Sequence, residues 1–136
     1  MLAKAEGWNV FVSDFGPVKN SFAEELDELD VKWEHGQHSL DEILKADLVI
    51  KSPGIPDTVP VMMAIKNKGI KVVSEIEFAA YYSQAKTICV TGSNGKTTTA
   101  LMTHHILKKS GINVGLAGNI GESYAKQVAQ NNFDWY

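Results

Sequence analysis

Along this chain, the spacing of apolar residues changes repeatedly between two patterns. Short runs of β-branched and aliphatic residues predict strands, and the stretches between them carry apolar residues at helical spacing. Seven strands are predicted, at residues 9–13, 31–33, 47–50, 71–73, 87–90, 113–116 and 133–136. This alternation predicts an α/β fold, in which parallel sheets are flanked by helices.

Three predicted helix starts carry a serine followed three residues later by a glutamate, which is the pattern of a capping box. The pairs are Ser21 with Glu24, Ser39 with Glu42, and Ser74 with Glu77. In the first of these helices Phe22 and Leu26 form an apolar stripe. The acidic residues between Glu24 and Asp30 are expected on the opposite, solvated face, and a metal site is the alternative interpretation.

Composition agrees with a folded domain and excludes several classes of protein. The 136 residues are 44% hydrophobic and 21% charged, near the averages of globular proteins. No apolar run reaches the ~18 residues of a membrane helix, and a net charge of -3 gives no electrostatic footprint for nucleic acid. The single cysteine, Cys89, lies in an apolar run and is expected to be buried. The start of the chain has no secretory signal, so a cytoplasmic location is expected.

The sharpest chemical pattern is a glycine-containing turn between a predicted strand and a predicted helix. Residues 88–99 read Ile-Cys-Val-Thr-Gly-Ser-Asn-Gly-Lys-Thr-Thr-Thr. Glycines let backbone N–H groups converge on phosphate oxygens, and the following helix adds its dipole. A nucleotide site is therefore predicted here, and a structural turn that carries a lysine is the alternative. The predicted ATP-binding residues are Gly92, Ser93, Asn94, Gly95, Lys96, Thr97 and Thr98.

Two side chains in this segment carry the predicted chemistry. Lys96 would reach the β- and γ-phosphates and is the predicted catalytic residue, and the Thr97 hydroxyl would ligate Mg²⁺. Val90 stands where the standard phosphate loop has its first glycine. Only the Gly-Lys-Thr part and the strand–helix context therefore match the standard pattern.

With these residues the sequence resembles the Mur ligases, the ATP-dependent amino-acid ligases of peptidoglycan synthesis, whose variant loop lacks the first glycine. Three further segments follow predicted strands, namely Ser52-Pro-Gly-Ile55, Ser74-Glu-Ile-Glu77 and Gly118-Asn-Ile-Gly121. Together with residues 91–97, they resemble most the branch of this family that adds D-glutamate to UDP-N-acetylmuramoyl-L-alanine.

The resemblance implies a two-step ligation. ATP phosphorylates the carboxylate of UDP-N-acetylmuramoyl-L-alanine, and the amine of D-glutamate attacks the acyl phosphate to form an amide, which releases ADP and phosphate. The UDP-sugar-binding residues that it implies are Asp14, Phe15, Ser52, Gly54 and Asn119. Plain turn or cap roles are the alternatives for Asp14, Asn119 and the segment from Ser52.

The same resemblance divides the chain into two parts. Residues 1–85 are predicted to be a Rossmann-like UDP-sugar-binding domain whose first strand and glycine turn are missing. Residues 86–136 are predicted to be the truncated start of a central ATP-binding domain of the P-loop ATPase type. The chain is therefore expected to be a fragment with no ligase activity of its own. The alternatives are another Mur-type or folylpolyglutamate-type ligase, and a non-catalytic nucleotide-binding module.

Overall fold

The structure is a computed structural model that describes residues 1–136. Its contacts group the residues into two compact units. The first unit consists of Met1 and residues 3–75, and the second consists of Leu2 and residues 76–136. Each unit combines helices with parallel pairing of extended segments, so the predicted α/β class is confirmed.

Two separate two-stranded parallel sheets organise the first 75 residues. The sheets pair β1 with β2 and β3 with β4. All four predicted strands are present, with ends shifted by a residue or two. In chain order the elements are α1 (Leu2–Ala5), β1 (Phe11–Asp14), α2 (Asn20–Glu28), β2 (Lys32–His35), α3 (Leu40–Ile43), β3 (Leu48–Lys51), α4 (Pro60–Lys68) and β4 (Lys71–Ser74).

Helix α4 supplies two of the buried apolar side chains of this unit. Ile65 is 2% exposed and Met62 is 6% exposed. Pro60 begins the helix, where its missing N–H is not needed, and Gly69 ends it with φ of +75° in the left-handed region. The sequence thus encodes both ends of the helix that carries this core.

The predicted capping boxes have different outcomes. α2 begins two residues early, because the Lys19 carbonyl accepts from the N–H groups of Phe22 and Ala23. The cap predicted at Ser21 is therefore wrong. Ser39 is the N-cap residue of α3 by position, but its hydroxyl donates to Glu34 and accepts no capping bond from a helix N–H. Ser74 directly precedes the next helix, as predicted.

The stripe predicted on α2 is only partly buried. Phe22 is 57% exposed, whereas Leu26 is half-buried. Glu24, Asp27 and Glu28 are exposed, as expected of a solvated face.

Residues 76–136 contain most of α5 (Glu75–Tyr82), together with α6 (Lys96–Lys109) and α7 (Tyr124–Gln130). The three strands predicted here are reduced to short parallel pairings. Ile88 N–H donates to the Tyr136 carbonyl at 2.7 Å, and Gly115 N–H donates to the Trp135 carbonyl at 2.9 Å. Residues 134–136 therefore run between residues 86–88 and residues 113–115. The extended segments lie where they were predicted, but their pairing is too short to form regular strands.

One burial prediction in this unit is wrong. Cys89 is exposed, because it lies on the wall of a cleft and not inside a sheet. Helix α6 is present as predicted, but Leu101, Met102 and Ile106 on its apolar side are 44%, 59% and 58% exposed. An apolar run alone therefore did not establish burial.

The domain boundary predicted between residues 85 and 86 stays a prediction. The contacts divide the chain after Glu75, within the first turn of α5. None of the helices combines the length and apolar character needed to cross a bilayer.

Candidate functional site

The loop of residues 91–95, called the glycine loop below, leads directly into α6. Gly92 has φ of +147° and Gly95 has φ of +76°. Residues with a Cβ rarely adopt these values, so both positions require glycine. Gly95 is the N-cap residue of α6, and the first N–H groups of a helix have no partner within it. The loop therefore ends at a set of backbone donors suited to an anion.

Lys96, the first residue of α6, folds back over the glycine loop. Its ammonium group donates to the Gly92 carbonyl and, at 3.2 Å, to the Ser93 carbonyl. These bonds hold a positive charge beside the N-terminus of α6. From there the ammonium group can contact the oxygens of a phosphate bound at the loop.

A cleft of about 400 Å³ opens beside this lysine. Its wall includes Lys96, Thr97 and Asn119, three residues that the sequence assigned to two different ligands. The other predicted ATP-binding residues form the glycine loop and the first turn of α6 but do not line the cleft; they are Gly92, Ser93, Asn94, Gly95 and Thr98. The structure therefore brings together a lysine ammonium, a threonine hydroxyl and an amide side chain.

Asn119 lies in a short loop whose two ends are tied together. Gly118 N–H donates to the Glu122 carbonyl at 3.3 Å, and Gln127 donates from Nε2 to the Leu116 carbonyl at 2.5 Å. Ser123 then caps the start of helix α7, since its hydroxyl accepts from the Lys126 N–H at 3.1 Å. These bonds hold the loop that places Asn119 on the cleft.

Asp14 ends β1 and makes the turn that follows it. Its Oδ1 accepts from the Gly16 N–H at 2.7 Å, and its carbonyl accepts from the Gly36 N–H at 3.0 Å. Asp14 therefore acts as a turn residue, which was the alternative interpretation for it. These bonds leave its second carboxylate oxygen able to accept a further hydrogen bond. Phe15, the next residue, is 72% exposed.

Sequence reasoning missed a cluster beside Asp14 that centres on Glu34. Its Oε1 accepts from Ser13 Oγ at 2.8 Å and from Ser39 N–H at 2.7 Å. Its Oε2 accepts from Ser39 Oγ at 2.5 Å and from Gln37 Nε2 at 3.3 Å. The feature that reveals this cluster is the register of β1 and β2, which places Ser13 opposite Glu34. A single sequence does not contain that register.

These bonds govern the ionisation of Glu34. Desolvation raises the pKa of its carboxyl, but the hydrogen bonds from Ser39, Ser13 and Gln37 outweigh that effect and hold the pKa at about 2. Glu34 is therefore a carboxylate throughout the physiological pH range.

Ser52 and Gly54 lie in an exposed turn after β3, on the sheet that does not contain Asp14. The Ile55 N–H closes the turn by donating to the Ser52 carbonyl at 3.1 Å. The Lys51 ammonium group stabilises this turn, because it donates to the Ile55 carbonyl at 2.8 Å and pairs with an Asp57 carboxylate oxygen at 2.8 Å. The hydrogen bond that Lys51 donates to Asp57, together with the positive charge of Lys51, lowers the pKa of the Asp57 carboxyl.

Two family models match the chain in the places that these sites occupy. The MurD N-terminal domain matches residues 1–60, which include Asp14 and Ser52. The Mur ligase middle domain matches residues 90–134, which include the glycine loop and Asn119. The chain belongs to the Mur ligase family.

Curated relatives indicate the branch of that family. Over all 136 residues the chain is 50% identical to UDP-N-acetylmuramoylalanine--D-glutamate ligase of Christiangramia forsetii, and it covers 31% of that protein. It is 52% identical to the protein of the same name in Bacteroides thetaiotaomicron, again over 100% of the chain and 31% of the relative. The chain thus spans less than a third of the length of these relatives.

Solved structures agree with the family assignment. A murein peptide ligase from Psychrobacter arcticus matches with a TM-score of 0.58 and 25% identity, over 96% of this chain and 29% of that one.

Proposed function

We propose that this chain is the nucleotide-binding part of an ATP-dependent ligase that joins D-glutamate to UDP-N-acetylmuramoyl-L-alanine through an acyl phosphate. One observation carries the proposal most directly: Lys96, Thr97 and Asn119 line one cleft at the N-terminus of α6. A reaction between ATP and a sugar-nucleotide carboxylate needs residues for both substrates in one place.

At the ATP end, the glycine loop and the first turn of α6 bind the phosphates through backbone N–H groups. Lys96 exchanges its bonds with the Gly92 and Ser93 carbonyls for bonds with β- and γ-phosphate oxygens. It is the proposed catalytic residue, because it stabilises negative charge during phosphoryl transfer. The Thr97 hydroxyl is the proposed ligand of Mg²⁺, which neutralises phosphate charge when bound. A hydroxyl beside a lysine on the same cleft fits that donor set.

At the UDP-sugar end, the proposed contacts lie after two strands of the first unit. Asp14 and Phe15 follow β1 and are assigned to the uridine, and Ser52 and Gly54 follow β3 and are assigned to the sugar-nucleotide. Carboxyl ends of parallel strands are the usual ligand positions in α/β proteins. Asn119 is assigned to the part of the substrate that approaches the ATP.

The finer domain assignment follows from these roles. Residues 1–85 are proposed to be a Rossmann-like domain for the UDP-sugar, and residues 86–136 the first part of a P-loop type ATP-binding domain. The D-glutamate site and the remaining metal ligands are proposed to lie in the part of the longer relatives that this chain does not match. The 136 residues alone are then expected to bind nucleotides without ligase activity, and the longer enzyme would act in the cytoplasm.

Separate nucleotide titrations of the 136-residue chain test the proposal. K96A is expected to weaken Mg·ATP binding by about 10- to 100-fold, the loss typical of a charged hydrogen bond, and to leave UDP binding unchanged. D14N keeps the turn through its remaining carbonyl oxygen but loses the charge, and is expected to weaken UDP binding alone. K109A, at the far end of α6, is the control for lost positive charge.

Three results would contradict the proposal. They are equal ATP affinity in K96A and K109A, binding of NAD in place of UDP, and, in the longer enzyme, a preference for an amino acid other than D-glutamate. The second would favour a non-catalytic nucleotide-binding module, and the third another Mur-type or folylpolyglutamate-type ligase.

A further inference from the structure

The cluster around Glu34 also contains a histidine with a defined hydrogen bond. Ser13 Oγ lies 2.8 Å from Glu34 Oε1 and 2.7 Å from His38 Nδ1. Ser13 and Glu34 are opposite each other in the parallel pair of β1 and β2. His38 lies in the segment that follows β2 and leads back to the end of β1. The three side chains therefore join the carboxyl ends of both strands.

The position of each proton in this cluster follows from chemistry. A hydroxyl carries one proton to donate, and a carboxylate can only accept. Glu34 is ionised, so the Ser13 hydroxyl proton points to Glu34. Ser13 Oγ can then only accept from His38, so Nδ1 of His38 must carry a hydrogen. In the neutral imidazole this leaves Nε2 without one.

The ring that this bond orients packs beside Phe15. The ring centroids of Phe15 and His38 are 5.9 Å apart, and the ring planes are tilted by 42°. His38 is half-buried, whereas Phe15 is 72% exposed. One side of the Phe15 ring is thus supported by a fixed neighbour, and the rest is open. Exposed aromatic rings are the surfaces on which nucleotide bases stack.

We propose that Glu34 and His38 are positioning residues for the base of the UDP-sugar. Glu34, acting through Ser13, holds His38 in the Nδ1–H tautomer, and the His38 ring holds Phe15 ready to stack on the uracil. This inference rests on the proposed function, because it takes Asp14 and Phe15 to be the uridine contacts. Preorganised contacts strengthen binding because less conformational freedom is lost when the ligand arrives.

Two substitutions at Ser13 distinguish an effect of the hydrogen bonds that link Glu34, Ser13 and His38 from a general effect on the fold. S13A removes the hydroxyl that connects Glu34 to His38, and S13T keeps a hydroxyl in a residue that strands favour. The 136-residue chain is titrated with UDP at about pH 8, where an ordinary imidazole is neutral. The tautomer of His38 is read in the same samples from the long-range ¹H–¹⁵N correlations of its ring.

The unsubstituted chain is expected to show His38 with hydrogen on Nδ1. S13A and E34Q are expected to lose that single tautomer and to bind UDP about ten-fold more weakly, whereas S13T retains both properties. F15A is expected to weaken UDP binding without changing the tautomer. E28Q, on the exposed face of α2, is the control for loss of a carboxylate, and thermal melts of each variant check the fold.

Two results would overturn the inference alone. One is an Nε2–H tautomer in the unsubstituted chain, and the other is unchanged UDP affinity in S13A after its tautomer has changed. Failure of the unsubstituted chain to bind UDP would overturn the proposed function of this end and the inference with it.

Discussion

At the residue scale, Glu34 shows how neighbours set the charge of a side chain. Four hydrogen-bond donors around the carboxylate outweigh its desolvation, and its pKa is held at about 2, against an ordinary value of 4.5. A carboxyl whose pKa is lowered on folding stabilises the folded state above its unfolded pKa. That contribution is lost as pH falls through the folded pKa. Glu34 therefore stabilises the first unit at neutral pH, and the effect declines between about pH 4.5 and pH 2.

The substitution E34Q tests this linkage. We expect it to lower the free energy of unfolding by about 1–2 kcal/mol at pH 7, after discounting for partial exposure, and by much less near pH 2–3. The measurement is urea unfolding of the chain and of E34Q at a series of pH values. The control is D57N, because Asp57 pairs with Lys51 while 82% of its side chain is exposed, and such pairs contribute little. Parallel pH profiles of E34Q and the unsubstituted chain would contradict the assignment.

Sequence reasoning at this scale anticipated the positions of side chains whose neighbours are local along the chain. Lys96 and Thr97 were predicted because a loop and the helix after it are contiguous. Glu34 was missed because its bond with Ser13 depends on strand register. Its bonds with Gln37 and Ser39 depend on how the loop after β2 turns back toward the strand. Cys89 was wrongly predicted as buried, because an apolar run does not show which of its faces is covered.

At the element scale, the packing of the segment 113–116 depends on a glycine. A Cβ built on Gly115 would lie 2.7 Å from each of three side chains, those of Gln127, Phe133 and Tyr136. Helix α7 and the segment that ends at Tyr136 both approach the chain at this point. Gly115 therefore permits an approach that any larger residue would block.

The pair G115A and G69A separates this crowding from backbone strain. G115A is expected to destabilise the second unit by about 1–3 kcal/mol through overpacking. G69A is expected to cost about 1 kcal/mol, because a Cβ there meets nothing within 4 Å and the residue is strained only by its left-handed φ. Denaturant unfolding of both variants provides the comparison. A neutral G115A would contradict the packing described here.

Elements were predictable from the sequence to different degrees. The four strands before residue 75 and the long helix after the glycine loop were found from their apolar runs and their context. The cap predicted at Ser21 failed because the helix begins two residues earlier, with Lys19 as its N-cap residue. The exposed side of α6 was not foreseen either, since periodicity indicates an apolar face but not whether another element covers it.

At the scale of the whole molecule, each compact unit carries one proposed nucleotide site. The contacts for the UDP end after β1 and β3 lie before residue 75, and the glycine loop, its lysine and Asn119 lie after it. A bound ligand stabilises the structure that binds it against opening. The two nucleotides should therefore protect different stretches of backbone.

Hydrogen exchange of backbone amides measures this difference. Saturating UDP is expected to slow exchange mainly within residues 3–75, and Mg·ATP mainly within residues 76–136, by up to about 100-fold at a ligand concentration 100 times Kd. The K96A variant is the control, since it should lose only the protection given by ATP. Protection by UDP confined to residues 76–136 would contradict the assignment of the UDP end.

The short pairing in the second unit has a consequence for how the chain acquires its structure during synthesis. Residues 134–136 lie between residues 86–88 and residues 113–115, so the segment that enters the glycine loop pairs with the last residues of this sequence. The sheets of the first unit join neighbouring strands and can form as soon as those strands are made. As domains fold from the N-terminus while the ribosome adds residues, the UDP end can form early. The segment entering the glycine loop obtains its pairing partner only after Tyr136 has emerged.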